Sequence, residues 1–248
     1  DSPVYTADSP LGPFAPLGRI TLPAGVPGHA DSMLFSDDDG RLYYYWGCSA
    51  NGGIHGVELD ANNPTRLASA PGKLIDFDPE RFPWQRVGDW NEDINTGWME
   101  GAWLLKRNGT YYLTYSAGGT ENRTYCVGCL TSKSPLGPFT PQKNNPIQRS
   151  VDGLITGTAH GSFVEGPNHS LWSFYTLRAC VVHGFERRLG MAPAWIGDDG
   201  ELHVAPVSSL PQRLTATAKG AEPTGWLPLN ANRNTRATST ATNLNTRL

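Results

Sequence analysis

The sequence predicts an all-β protein, a β-propeller built from four-stranded antiparallel blades. Three observations carry that prediction. Gly (28) and Pro (20) are so frequent among 248 residues that long helices have little room. Eight Trp, nine Tyr and eight Phe stand against only 17% charged residues, a balance that suits aromatic-rich strands. One hairpin pattern also recurs at intervals of several tens of residues, and such spacing marks propeller blades.

Taken in chain order, the first element is "SPLGPF" at 9–14, which returns at 134–139. Pro and Gly around an aromatic make a rigid turn with one anchor, so the motif reads as the exit from a blade with Phe14 and Phe139 tucked under the next element. On that reading residues 1–14 are the last strand of a blade. The first full unit is "ADSMLFSDDDGRLYYYWG", an apolar strand, an Asp39-Gly40 turn and a Tyr-rich return. Residues 61–97 then form a long inter-blade loop, with "FDPERFPWQRVGDWNEDINTGW" walling a pocket.

The second unit, "MEGAWLLKRNGTYYLTYSAGG", turns at Asn108-Gly109. The third, "AHGSFVEGPNHSLWSFYTL", turns near Asn168-His169, and "PAWIGDDGELHV" supplies its outer strands through Asp199-Gly200. The chain therefore carries three blades and the end of a fourth over 1–206. Residues 207–248 change to Asn- and Thr-rich text without acids beyond Glu222, a linker and the possible start of a β-sandwich sugar-binding module.

Charge and cysteines narrow the partners. A formal charge of −3 and a pI near 6.1 leave no basic stripe for nucleic acid, and no apolar run reaches the length of a membrane span. "CVGC" at 126–129 is not a zinc grip, because residues three apart on a strand point to opposite faces. Both thiols read as core.

Asp31, Glu100 and His160 each stand nine residues before the turn of their unit. An acid at a strand head, taken alone, reads as a cap or a solvated group. Three in register on axis-lining strands read as a converging pocket. Glu100 lies between Trp98 and Trp103, which predicts a desolvated carboxyl with a raised pKa, as a general acid requires. Two carboxyls on one pocket floor suggest glycoside hydrolysis, with Trp90 or Trp98 stacking on sugar.

These three units resemble successive blades of glycoside hydrolase family 43, whose members are five-bladed propellers. The resemblance implies inverting hydrolysis of β-xylosyl, α-L-arabinofuranosyl or related linkages in plant cell-wall polysaccharides, and a secreted enzyme. It implies that Glu100 in "MEGAW" is the general acid, although the family's "EGP" has Ala in place of Pro here, and that Asp31 orients it. It also implies that His160 either contacts the sugar or helps hold a structural calcium ion, no cofactor being required, and that Arg187 meets sugar hydroxyls. The family's general base is an Asp on the first blade, for which this stretch offers no counterpart. The expectation is therefore that the missing blades come from upstream sequence or another chain. The alternative is a carbohydrate-binding propeller without catalysis.

Overall fold

The computed structural model describes residues 2–179, 185–208 and 212. Seventeen strands form four antiparallel sheets, and two 3-10 turns, Pro83–Gln85 and Pro167–His169, are the helical segments among the described residues. The first sheet is a ribbon of β1 (Ser2–Thr6) and β2 (Ala15–Ile20). The second orders β3 (Met33–Ser36), β4 (Leu42–Trp46), β6 (Ile54–Asp60) and β7 (Asn63–Leu67), with β8 (Gly72–Ile75) also on β6.

The third sheet is built on β9 (Trp98–Arg107), β10 (Thr110–Ala117) and β11 (Cys126–Ser132), extended by β12 (Thr140–Pro141) and β13 (Gln148–Arg149). Its inner edge receives β5 (Cys48–Ala50), which follows β4 in the chain but pairs with β9. The fourth sheet is β14 (Ile155–Glu165), β15 (Leu171–Ala179), β16 (Arg188–Ile196) and β17 (Leu202–Val204).

Turn chemistry sets the hairpins. Asn108 (φ 50°) and Gly109 (φ 69°) are both left-handed, the geometry of a two-residue turn between twisted strands. Strand period then sets the layers. Leu104, Tyr111, Leu113 and Cys126 pack toward the second sheet, whereas Leu105, Tyr112, Val127 and Cys129 pack toward the fourth. The two thiols of "CVGC" thus belong to different cores, and Cys180 lies outside the described residues. Ile20 and Val4 of the ribbon cover the far face of the second sheet, over Tyr44, Trp46, Val57 and Leu59. Successive sheets thus share their cores, the ribbon with the second, the second with the third and the third with the fourth.

The structure relocates the repeated motif. "SPLGPF" does not leave a sheet but joins two paired strands of one sheet, β1 to β2 in the first copy and β11 to β12 in the second. Residues 1–14 are accordingly not one closing strand. Both copies share a left-handed Gly and a cis Gly-Pro bond, at Gly12-Pro13 and Gly137-Pro138. Their surroundings differ. In the second copy Tyr45 donates to the Pro135 carbonyl at 2.6 Å, and Leu136 and Phe139 pack on the core between the second and third sheets. In the first, Leu11 is 94% and Phe14 60% exposed, against the expectation that Phe14 is tucked away. The expected loop over 61–97 is also shorter, since β7 and β8 fill its first part. The domain boundary at 206 and the module expected after it fall largely outside the described residues.

A buried polar bridge fixes the second sheet against the third. Asp37, in the β3–β4 turn, accepts from Lys106 Nζ at 2.5 Å and from the Tyr111 hydroxyl. Burial pushes its carboxyl up, but bonds from Lys106, Tyr111 and the Asp38 N–H outweigh this and hold it below the usual range. Asp37→Ala leaves Lys106 and Tyr111 without their acceptor and is expected to cost about 3 kcal/mol, the low end for a broken buried pair because Lys106 keeps some contact with water. Urea titration reads the loss. Because the folded-state value is depressed, the Asp37 contribution is present above its ordinary pKa of 3.8 and vanishes as pH falls through the lower folded value.

Candidate active site

Three segments of the chain deliver one polar residue each to a common centre. Asp31 lies two residues before β3, Glu100 is the third residue of β9, and His160 sits midway along β14. A polar atom from each lies within 4.8 Å of the others. The backbone is bent to achieve this. Asp31 (φ 51°) and His160 (φ 48°) are left-handed, a region that costs a non-glycine residue about 1–2 kcal/mol. Gly101 (φ 61°) follows Glu100, and a Cβ there would stand 3.4 Å from the His160 ring. The β9–β10 and β14–β15 ladders shift register beside these residues, as bulges do when they re-aim a side chain. Ser116 Oγ then accepts the His160 N–H at 2.8 Å, tying β14 to β10.

Glu100, only 5% exposed, has both carboxylate oxygens engaged. Oε1 accepts from the Tyr125 hydroxyl and lies 3.3 Å from His160 Nδ1, while Oε2 accepts from Trp98 Nε1 at 2.6 Å and Cys48 Sγ at 3.2 Å. Tyr125 Oη is also 3.1 Å from His160 Nδ1. Asp31 Oδ2 is buried without a hydrogen-bond partner among the described residues.

This geometry corrects the expected electrostatics. Burial does push the Glu100 carboxyl up, but bonds from His160, Tyr125, Trp98 and Cys48 together outweigh it and bring the pKa to about 2. Trp98 is therefore not an apolar wall beside Glu100 but one of its donors. Trp103 instead turns away and donates to the Phe163 carbonyl. The Glu100 carboxylate raises His160 by hydrogen bonding, burial opposes, and the charge of Asp31 adds to the rise. Burial keeps the Tyr125 phenol and the Cys48 thiol protonated, so both remain donors.

The donor set fits calcium poorly. That ion takes about six to eight oxygens, whereas this centre offers a ring nitrogen, one carboxylate whose oxygens already serve four donors, and Asp31. It fits proton handling well.

Of the remaining sequence candidates, one joins the centre and two lie farther out. Trp98 reaches the centre as a hydrogen-bond donor. Arg187 is exposed, and its charge acts on His160 from a distance. Trp90 sits on the turn 88–91 with the Arg123 guanidinium over its ring. Cys48 and Tyr125 were not legible as site residues: one arrives with β5, the other just before β11. Beside Cys48 opens a pocket of about 330 Å³ whose lining includes His29, Ala30, Ser49 and His55.

The sequence pattern of "Glycosyl hydrolases family 43" matches residues 3–202. The chain is 34% identical over 178 residues to "Beta-D-galactofuranosidase xynD" of Aspergillus niger, covering 70% of this chain and 45% of that protein. It is 36% identical over 152 residues to "Arabinoxylan arabinofuranohydrolase" of Bacillus subtilis, covering 55% and 28%. The chain thus spans less than half the length of either. A crystal structure of "a thermostable family-43 glycoside hydrolase" superposes with a TM-score of 0.66 at 25% identity, covering 84% of this chain and 67% of that one.

A titration checks the electrostatics. His160 should titrate above its ordinary 6.5 in histidine NMR spectra, and Glu100→Gln should bring it down, since burial then acts with less opposition. The sign is set by the two shifts. Glu100, depressed, stabilises the fold above 4.5 and loses this as pH falls through about 2; His160, raised, stabilises it below 6.5 and loses this as pH rises through its folded value. The pair therefore contributes in full between pH 4.5 and 6.5. An unchanged His160 titration in the variant would show that the two groups are not coupled.

Proposed function

The chain belongs to glycosyl hydrolases family 43, and on that premise we propose that it hydrolyses β-xylosyl or α-L-arabinofuranosyl linkages of plant cell-wall polysaccharides, with Glu100 as general acid. The observation that carries the proposal is a single buried carboxyl gripped by four donors, with a second carboxyl less than 4.8 Å away. The activities for which relatives are named, among them "Beta-xylosidase" and "Arabinoxylan arabinofuranohydrolase", support the sugar class.

To act as an acid Glu100 must hold a proton when the glycosidic oxygen arrives. Substrate in the site expels water, which strengthens the burial effect, and the charge of Asp31 disfavours a second carboxylate beside it. His160 Nδ1, 3.3 Å from Oε1, is placed to return the proton. Glu100 then gives it to the leaving oxygen as the anomeric C–O bond breaks. Asp31 Oδ2, without a hydrogen-bond partner among the described residues, suits a sugar hydroxyl.

Asp31 is too near to be the base of an inverting pair, whose carboxyls stand about 6.5–9.5 Å apart so that a water fits between them. It is a positioning residue, and the base is assigned to a further sheet. Burial of Leu136 and Phe139 against the second sheet supports such a neighbour for the first copy of the motif, whose Leu11 and Phe14 would bury in the same way. Polymeric substrate supports action outside the cell; no helix among the described residues is long and apolar enough to cross a membrane.

Glu100→Gln should lower turnover of natural glycans by about 10²–10⁴-fold and that of aryl glycosides with good leaving groups far less. Equal losses would remove Glu100 as the acid. Asp31→Asn should draw the alkaline limb of the pH profile to lower pH, because the acid loses the neighbour that favours its protonated form. Proton NMR of the first-formed sugar decides the base: inversion is expected, and retention would make Asp31 the nucleophile. Tight glycan binding with no hydrolysis would instead mark a binding protein.

A further inference from the structure

Trp90 is 70% exposed, a large apolar ring left in water on a segment that is otherwise thoroughly fastened. The turn Gly88–Asn91 is closed by the Asn91 N–H on the Gly88 carbonyl at 3.1 Å, with Gly88 (φ 102°) and Asn91 (φ 55°) both left-handed. Glu92 accepts the Trp90 N–H at 2.8 Å. Neighbouring elements hold the turn from outside. Asp89 accepts the Arg123 N–H at 2.7 Å, Thr124 donates to the Gly88 carbonyl at 2.6 Å, and Arg149 donates to Asn91 Oδ1 at 2.7 Å.

The Arg123 guanidinium lies over the indole, 5.1 Å from its centroid, which covers one face of the ring and fixes its plane. Both partners lead directly to the centre. Eight residues after Trp90 comes Trp98, and two after Arg123 comes Tyr125, the donors to the two oxygens of Glu100. The Gly118 N–H on the Trp98 carbonyl at 3.2 Å and Asn122 Nδ2 on the Gly118 carbonyl at 2.7 Å lace the two paths together. A ring so oriented, backed by Arg123 on one face, mostly exposed and carried on a fastened turn, has the construction of a ligand platform rather than of a core residue that failed to bury.

Building on the glycosidase reading, we propose that Trp90 and Arg123 form a rim subsite that stacks a second sugar of an oligomeric or polymeric substrate, outside the unit released at Glu100. The chemistry fits a neutral pyranose or furanose. Its C–H face covers the open indole face, while its hydroxyls stay in water.

The test compares two substrates in the full-length protein. For Trp90→Ala, kcat/KM on arabinoxylan oligosaccharides should fall about tenfold relative to that on aryl xylosides and arabinofuranosides, which carry one sugar. Trp90→Phe, which keeps a ring, should recover most of the difference. In the Glu100→Gln background, calorimetry should show the same weakening of oligosaccharide binding by Trp90→Ala, so the platform is judged even if the assignment of hydrolysis fails. Oligosaccharide affinity that does not change, or equal losses on both substrates, would overturn the proposal.

Discussion

Keeping one carboxylate out of water is the constraint around which this molecule is arranged. An ionised group as buried as Glu100 costs several kcal/mol unless its lone pairs are met by donors. Those donors come from four places in the chain: Cys48 on β5, Trp98 on β9, Tyr125 before β11, and His160 on β14. Satisfying one side chain therefore ties the third and fourth sheets at one end. It also accounts for β5, which follows β4 in the chain yet pairs with β9 of the third sheet and so sets Cys48 directly opposite Glu100.

The same constraint accounts for the backbone. A regular strand would carry His160 with its neighbours into the ladder, whereas the left-handed turn and paired register shifts of β14 aim it across at Oε1. Gly161 allows the strand to pass close to β15, where a Cβ would meet the Phe174 carbonyl at 1.8 Å. Strain at Asp31 and His160 persists because surrounding sheets over-determine both positions, which is how strained residues survive at sites of chemistry.

Away from the centre, rigidity comes from faces. The third sheet is apolar on both sides, so its strands read as near-continuous hydrophobic text, while the polar bridge of Asp37, Lys106 and Tyr111 pins its outer end to the second sheet. The two copies of "SPLGPF" show what such packing requires. Identical turns are buried or bare according to whether a neighbouring sheet stands against them.

Local pattern made much of this legible. Period-2 alternation predicted that Cys126 and Cys129 face different cores, Asn-Gly and Asp-Gly pairs located the hairpins, and a constant offset from turn to polar residue brought Asp31, Glu100 and His160 into one register. Each of these depends on neighbours within about ten residues, where turn type and strand period dictate direction. Tertiary structure alone decided the rest. Cys48 meets Glu100 through a pairing of strands some fifty residues apart, and Tyr125 reaches it from beyond a long turn. The same indole that reads as an apolar wall in sequence is a donor in space. Whether Glu100 holds its proton follows from the sum of such contacts, because desolvation and hydrogen bonding act on it with opposite sign and only their geometry says which prevails.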